Sequence, residues 1–381
     1  MNLLEEKIYG IALSLIAKPA SYELSKKIKL GINFSDIYHS LPKVPKLEVQ
    51  EIYREIYGTD VLAAAEKIFE RCQKLNLKVI SYYDVNYPDL LKEICNPPFI
   101  IYCTRDLCNL PCVSIVGTRN PDASSTQIAY KLGEELSAAD ICIVSGMAIG
   151  IDRASHLGAL NSKEYTIGVL ANGSDVLYPQ KNKDLFDMMA SKENSALISE
   201  YPPGIIAGKW TFVKRNRIIS GLSHASIIIQ AGERSGSLIT ARYAIEQNRD
   251  VYVTGGYSFD SGYIGSINLI NEGARLLYKT QDVFESIPNF KTVPKHIIKE
   301  NVCKNVCKED VYLDESIRVN ELSELNEDEK LIINSIDRTG SNIDFLIRKT
   351  NLRPDIFAEI IILLEIYGYI ERKGNHICLK N

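Results

Sequence analysis

The feature that most constrains this chain is a strand-and-turn unit that occurs twice in succession. Val113-Ser114-Ile115-Val116 runs into Gly117-Thr118-Arg119, and one helix length later Ile141-Cys142-Ile143-Val144 runs into Ser145-Gly146-Met147-Ala148-Ile149-Gly150-Ile151-Asp152. Short β-branched runs that end in small-residue turns and hand over to helices are the pattern of a parallel sheet. Both turns then lie at one edge of that sheet. Backbone N–H groups at such turns lack partners and the helix dipole adds partial positive charge, so phosphates or carboxylates are the natural guests.

Further strands are expected at 166–170, 196–199, 225–229 and 250–253, alternating with helix-length segments. This alternation predicts a Rossmann-like α/β fold, a doubly wound and mostly parallel sheet with its ligand crevice at the carboxyl ends of the strands. The loops at those ends carry Asn172-Gly173-Ser174-Asp175, Glu200-Tyr201-Pro202-Pro203-Gly204, Glu233-Arg234-Ser235-Gly236-Ser237 and Thr254-Gly255-Gly256-Tyr257. Upstream, apolar positions at helical spacing (Ile8, Ile11, Ala12, Leu15; Val61, Ala64, Ala65, Ile68, Phe69) predict a small helical domain over residues 1–75. A strand follows at 77–81, and Pro97-Pro98 excludes helix from the extended stretch 96–102. Residues 76–285 thus form the Rossmann-like domain, and the polar, Lys-rich 286–324 reads as a linker. Residues 325–381 regain helical periodicity and end at 369–379 in a pattern that fits a two-strand wing, which makes a winged-helix module.

A chain of 381 residues that is 45% hydrophobic has enough apolar surface for two or three domains. It has no apolar run of about 18 residues and no basic-then-apolar start, so neither a membrane span nor a secretory signal is indicated and a cytoplasmic location is expected. The nine cysteines show no C-x-x-C pair and suit reduced thiols. Cys303 and Cys307 lack accompanying ligands, so no metal site and no cofactor is expected. With a formal net charge of −4, any nucleic-acid contact must be a local patch.

That patch is Lys209-Trp210-Thr211-Phe212-Val213-Lys214-Arg215-Asn216-Arg217, with four cations, two aromatics and no acid. Cations beside aromatic faces hold single-stranded nucleic acid, phosphates by charge and bases by stacking at roughly 1–3 kcal/mol each. Arg119, after the first anion-ready turn, brings a fifth cation to the same edge. The competing reading places Trp210 and Phe212 in the core, with the cations on a solvated helix start. Asp152 and His156 are four apart on one helix; a local hydrogen bond fixing the helix start is favoured over an acid-base pair. Ser235, Ser237 and Thr240 have no histidine placed to activate them, and Ser235-Gly236-Ser237 before a helix is suited to bonding a phosphate.

Several ordered motifs also resemble one family. Ser145 to Asp152 with His156, Tyr178-Pro179 with Asn182, Ser199-Glu200-Tyr201-Pro202, Phe212 with Arg215 to Leu222, and Ser235 to Ala241 are similar to the DNA-processing protein A family (DprA, also called Smf) over about residues 77–285. The resemblance implies a cytoplasmic bacterial protein, not an enzyme, with a SAM-like helical start and a winged-helix end. It implies binding of single-stranded DNA, protection of incoming strands in natural transformation (competence), loading of RecA recombinase in DNA recombination, and a homodimer. By motif match the DNA-binding positions are Gly117, Arg119, Lys209, Phe212, Lys214, Arg215, Arg217, Ser235, Gly236 and Ser237, with Asn216 orienting the loop. The chain departs from the family pattern at Asp122, Ser124-Ser125, Ala171, Gly255-Gly256 and Ile267. The alternative is a phosphoribohydrolase-like nucleotide enzyme or sensor, which needs a carboxylate poised in the crevice; Glu200 and Asp152 are its candidates. The expected recognition helix of the winged-helix module, about 354–367, carries Asp355, Glu359 and Glu365 and no Lys or Arg, so a protein contact is expected there instead of DNA.

Overall fold

The computed structural model describes residues 3–16, 22–41, 49–256, 260–288 and 290, and further on 327–336, 341–350, 352–353, 356–358, 360–361, 364, 370–373 and 376–379. It divides into two units, residues 1–290 and 291–381. The expected linker 286–324 falls outside the described residues from 291 on, as do Cys303, Cys307 and Tyr257.

The first unit opens with helices α1 (Leu3–Ile16), α2 (Tyr22–Lys29), α3 (Phe34–Ser40), α4 (Glu51–Tyr57) and α5 (Val61–Lys74). There follow β1 (Lys78–Ser81), α6 (Asp89–Glu93), β2 (Ile100–Cys103), β3 (Cys112–Gly117), α7 (Ala123–Ala138), β4 (Cys142–Ser145), α8 (Ile151–Leu160), β5 (Thr166–Leu170), α9 (Lys183–Ser191) and β6 (Ser195–Ser199). The last elements are α10 (Lys209–Gly221), β7 (Ala225–Ile229), α11 (Ser237–Glu246), β8 (Asp250–Thr254), α12 (Ile264–Asn271) and β9 (Arg275–Leu277). The nine strands form one sheet in the order β1-β2-β6-β5-β4-β3-β7-β8-β9. Seven run parallel from β6 to β9, while β1 and β2 are antiparallel. The Rossmann-like expectation therefore holds, with an antiparallel extension on one side. The order reverses between β3 and β7, the switch point beside which such sheets hold ligands.

Strands β4, β5, β6 and β7 are buried along their whole length because helices cover both faces, which explains why the sequence shows unbroken apolar runs there. One core joins sheet residues Val144, Ile167, Val169, Ile198 and Ile228 to Leu91, Ile94, Ile218, Ile219, Leu222, Ala241 and Ala244 of α6, α10 and α11. A second joins the N-terminal helices (Ile11, Leu15, Phe34, Ile37, Ile68) to Ile100 and Tyr102 of β2 and to Tyr201, with Trp210 packed against it. The open side of β1 is closed by charge. Lys7 Nζ donates to Val79 O at 2.8 Å, Asp84 accepts from Ser81 N at 3.0 Å, and the two side chains pair at 2.9 Å.

The second unit contains α13 (Glu327–Ser335), β10 (Ser341–Asn342), α14 (Ile343–Thr350), β11 (Ile370–Lys373) and β12 (His376–Leu379), with a three-stranded antiparallel sheet in the order β10-β12-β11. Ile332, Leu346, Phe357, Ile361, Leu364, Ile370 and Ile377 form its core. Pro354, Asp355, Glu359 and Glu365, on which the reading of the recognition helix rests, lie outside the described residues. No helix among the described residues is long and apolar enough to cross a membrane.

Asp152 and His156 do not bond each other, contrary to the expectation of a local pair. His156 is fully buried, with Nδ1 2.7 Å from Thr166 Oγ1, and that hydroxyl donates to Ile143 O at 3.0 Å. The Thr166 proton is thus committed, so Nδ1 carries the ring hydrogen and Nε2, which has no partner, is bare. Burial, with help from the nearby Arg215 charge, pushes the imidazole down to about 3. The unfolded chain takes up this proton near the ordinary value of about 6.5 and the folded chain does not, so His156 costs stability as pH falls below about 6.5. Urea denaturation at pH 7.5 and 5.0 should show a loss from this residue of about 2 kcal/mol, and H156Q should flatten the pH dependence by that amount; an unaltered slope in H156Q would refute the assignment.

Candidate functional site

The loops at the carboxyl ends of β3, β4 and β5 meet helix α10 around a cavity of about 110 Å³, lined by Arg119, Gly146 to Ile149, Leu170 to Asn172, Tyr178, Pro179, Phe212 and Arg215. Arg119 and the start of α10 thus share one site, although 90 residues separate them in sequence. Arg119 is exposed, with its guanidinium carbon 5.5 Å from the centre of the Phe212 ring. Phe212 in turn meets Tyr178, the ring centroids 5.5 Å apart and tilted by 51°. Lys209 is exposed at the same end of α10.

The other cations of the patch behave differently from the sequence expectation. Arg215 is only 5% exposed and donates through Nη1 to Gly146 O at 2.5 Å and to Val169 O, and through Nε to Asn216 Oδ1 at 3.2 Å. It therefore ties α10 to the turn after β4 and to strand β5. Burial brings its guanidinium down to about 10, opposed by the Asp152 charge, and it stays protonated at neutral pH. Arg217 is 7% exposed and paired with Glu200; burial works most strongly against its charge, but Glu200 together with Tyr201 and Tyr243 raises it overall. Both residues turn inward because α10 is buried from Arg215 to Gly221 between its neighbours, not laid on the surface. Lys214 sits one turn beyond Trp210 with its ammonium 4.9 Å from the indole centre, and Trp210 meets Tyr201 edge-on at 5.7 Å. Trp210 is thus half core, as the competing reading had it, while Phe212 is half-buried at the site.

Gly117 is small for an internal reason. A Cβ there would lie 2.0 Å from Ile229 O, so the residue permits β3 and β7 to approach at the switch point. Asp152 caps the β4 turn through Oδ2, accepting from Gly146 N at 3.0 Å and Ala148 N at 3.3 Å. Burial raises its carboxyl, against the pull of Arg215, those two amides and Arg119. Two turn amides are therefore already satisfied, contrary to the expectation that they wait for an anion. Both carboxylates considered for an enzymatic role, Asp152 and Glu200, are held by protein partners. Ser235 and Ser237 bond each other at 2.8 Å, Asn216 Nδ2 donates to Gly236 O at 3.3 Å, and Gly236 faces open space.

The sequence reading gave no role to Tyr178, although the Tyr178-Pro179 pair was visible as a motif. Asp122, one of the departures, caps α7 by accepting from Ser125 N at 2.7 Å and receives the Tyr263 hydroxyl at 2.6 Å. Burial opposes its charge, but these hydrogen bonds hold its carboxyl below the usual range. Among the described residues no cluster of His, Cys, Asp and Glu could hold a metal ion.

A family model described as DNA recombination-mediator protein A matches residues 78–288. The DNA processing protein DprA of Bacillus subtilis is 41% identical over 246 residues, 64% of this chain and 79% of that protein. That of Streptococcus pneumoniae is 40% identical over 205 residues, 53% of this chain and 72% of that one. An X-ray structure of the Streptococcus pneumoniae protein aligns with a TM-score of 0.59 at 31% identity, covering 77% of this chain and all of that chain. With a family model matching more than half of its length and relatives of this identity, this chain belongs to the DNA recombination-mediator protein A (DprA/Smf) family.

Proposed function

We propose that this chain is a non-catalytic single-stranded DNA-binding protein that protects incoming strands in natural transformation and loads RecA recombinase onto them, acting in the cytoplasm as a homodimer. The observation that carries the reading is the exposed Arg119 guanidinium over the Phe212 ring, beside the cavity and near Lys209. A cation and a ring on one surface suit a flexible polyanion with accessible base faces. Direct contact falls to Arg119, Lys209, Phe212 and the Ser235-Gly236-Ser237 loop. Lys214, Arg215, Asn216 and Arg217 hold α10 and its neighbours in place, and Gly117 lets the strands approach. The reading as a nucleotide enzyme lacks a carboxylate open to the crevice, since Asp152 and Glu200 are both engaged.

We assign residues 1–75 to a SAM-like helical domain, 76–285 to the DNA-binding domain, 286–324 to a linker and 325–381 to a winged-helix module that contacts protein. The strand order β10-β12-β11 and the acidic stretch 354–367 support the last assignment.

Gel shifts at two salt concentrations test the reading. Affinity for a single-stranded oligonucleotide should exceed that for the duplex and fall with salt, and R119A should weaken it about tenfold while reducing the salt slope by roughly one. Equal affinity for single and double strands would refute it. Removing residues 320–381 should leave strand affinity within about twofold; a sharp loss would place a DNA contact in the C-terminal unit.

A further inference from the structure

Three aromatic rings stand near the cations of this site, and they are not equally available. Trp210 has Tyr201 against it edge-on at 5.7 Å and the Lys214 ammonium 4.9 Å from its centre, and it packs on the core beneath the N-terminal helices. Phe212 has the Arg119 guanidinium at 5.5 Å and the Tyr178 ring at 5.5 Å. Tyr178 is 41% exposed, and Phe212 is its only aromatic neighbour among the described residues. It follows β5 in the loop that also carries Asn172, and it lines the cavity next to Arg119.

A ring can stack on a nucleobase only if one face is open to it. Base pairing and stacking leave no base face free within a duplex, whereas an unpaired strand offers one at every nucleotide. Phosphates, by contrast, are presented by both forms, so a cation such as Arg119 attracts either. The work of attraction and the work of choosing between strand types therefore fall on different side chains. We infer that Tyr178, not Phe212 or Trp210, is the base-stacking ring of this surface and the residue by which it prefers an unpaired strand over a duplex. Phe212, besides touching the strand at its edge, keeps the guanidinium and the Tyr178 ring next to each other so that phosphate and base are met together. The phenol hydroxyl has no part in this, so Phe serves as well as Tyr at position 178. The inference rests on the single-strand reading above.

Fluorescence anisotropy with a labelled thirty-nucleotide single strand and the matching duplex, on the full chain, tests it. Y178A should lose about tenfold in single-strand affinity, equivalent to about 1.4 kcal/mol, with duplex affinity unchanged within twofold. Y178F should match the wild type for both. A single 2-aminopurine in the strand, whose emission is quenched on stacking, should be quenched by the wild type and Y178F and not by Y178A. If the wild type prefers the single strand and Y178A keeps both that preference and the quenching, the inference is wrong and the single-strand reading stands. If the wild type shows no preference, the reading and the inference fall together. Equal loss for strand and duplex in Y178A would reduce Tyr178 to a general contact and also overturn the inference.

Discussion

The site depends on one buried guanidinium. Arg215 leaves α10 and binds the carbonyls of Gly146 and Val169, with Asp152 as its nearby counter-charge. Removing a charge from water costs several kcal/mol, which is offset here only because oriented carbonyls and a carboxylate replace its hydration shell. The arrangement leaves no room for a side chain at position 146, where a Cβ would lie 2.6 Å from Arg215 Nη2 and 2.7 Å from Asp152 Oδ2. The turn after β4, the end of β5 and the start of α10 are thereby fixed to one another. Arg119, Phe212 and Tyr178 stand on the frame that this makes.

A second buried pair does similar work two residues further along the helix. Arg217 and Glu200 join α10 to the segment after β6, and the next residue, Tyr201, packs among the N-terminal helices and against Trp210. Helix α10 is therefore the element through which the helical layer and the parallel sheet are connected to the site. Its arginines belong to the interior, which is unusual for that residue; Arg215 is met by two carbonyls and Asn216, whereas Arg217 is paired with Glu200 through Nη2 and leaves Nη1 without a partner.

Much of the sheet was legible in the sequence because a parallel strand buried on both faces has to be a continuous apolar run. Ile143-Val144, Thr166 to Leu170 and Ala225 to Ile229 have no other economical reading. The turns were legible for a related reason, since close backbone approach at Gly117 tolerates no side chain. What the sequence did not disclose was direction. Nine residues of α10 display four cations, yet nothing local distinguishes an arginine aimed at solvent from one aimed at the carbonyls of a strand that lies 46 residues away. The same limit hid Tyr178. Its importance is a matter of which faces of three rings are already covered, and that follows from tertiary packing alone.

The division between interior and surface charge also explains how an acidic chain can present a basic site. A formal charge of −4 spread over the surface repels a polyanion weakly at long range, where salt screens it within about 10 Å. Inside that distance the local arrangement decides. The buried cations Arg215 and Arg217 each have a carboxylate close by, Asp152 and Glu200, whereas Arg119 lines the cavity and is exposed. A patch assembled in this way attracts phosphate without needing a positive protein. It leaves selection among polyanions to ring faces and shape, because phosphates are common to all of them and a cation attracts each alike.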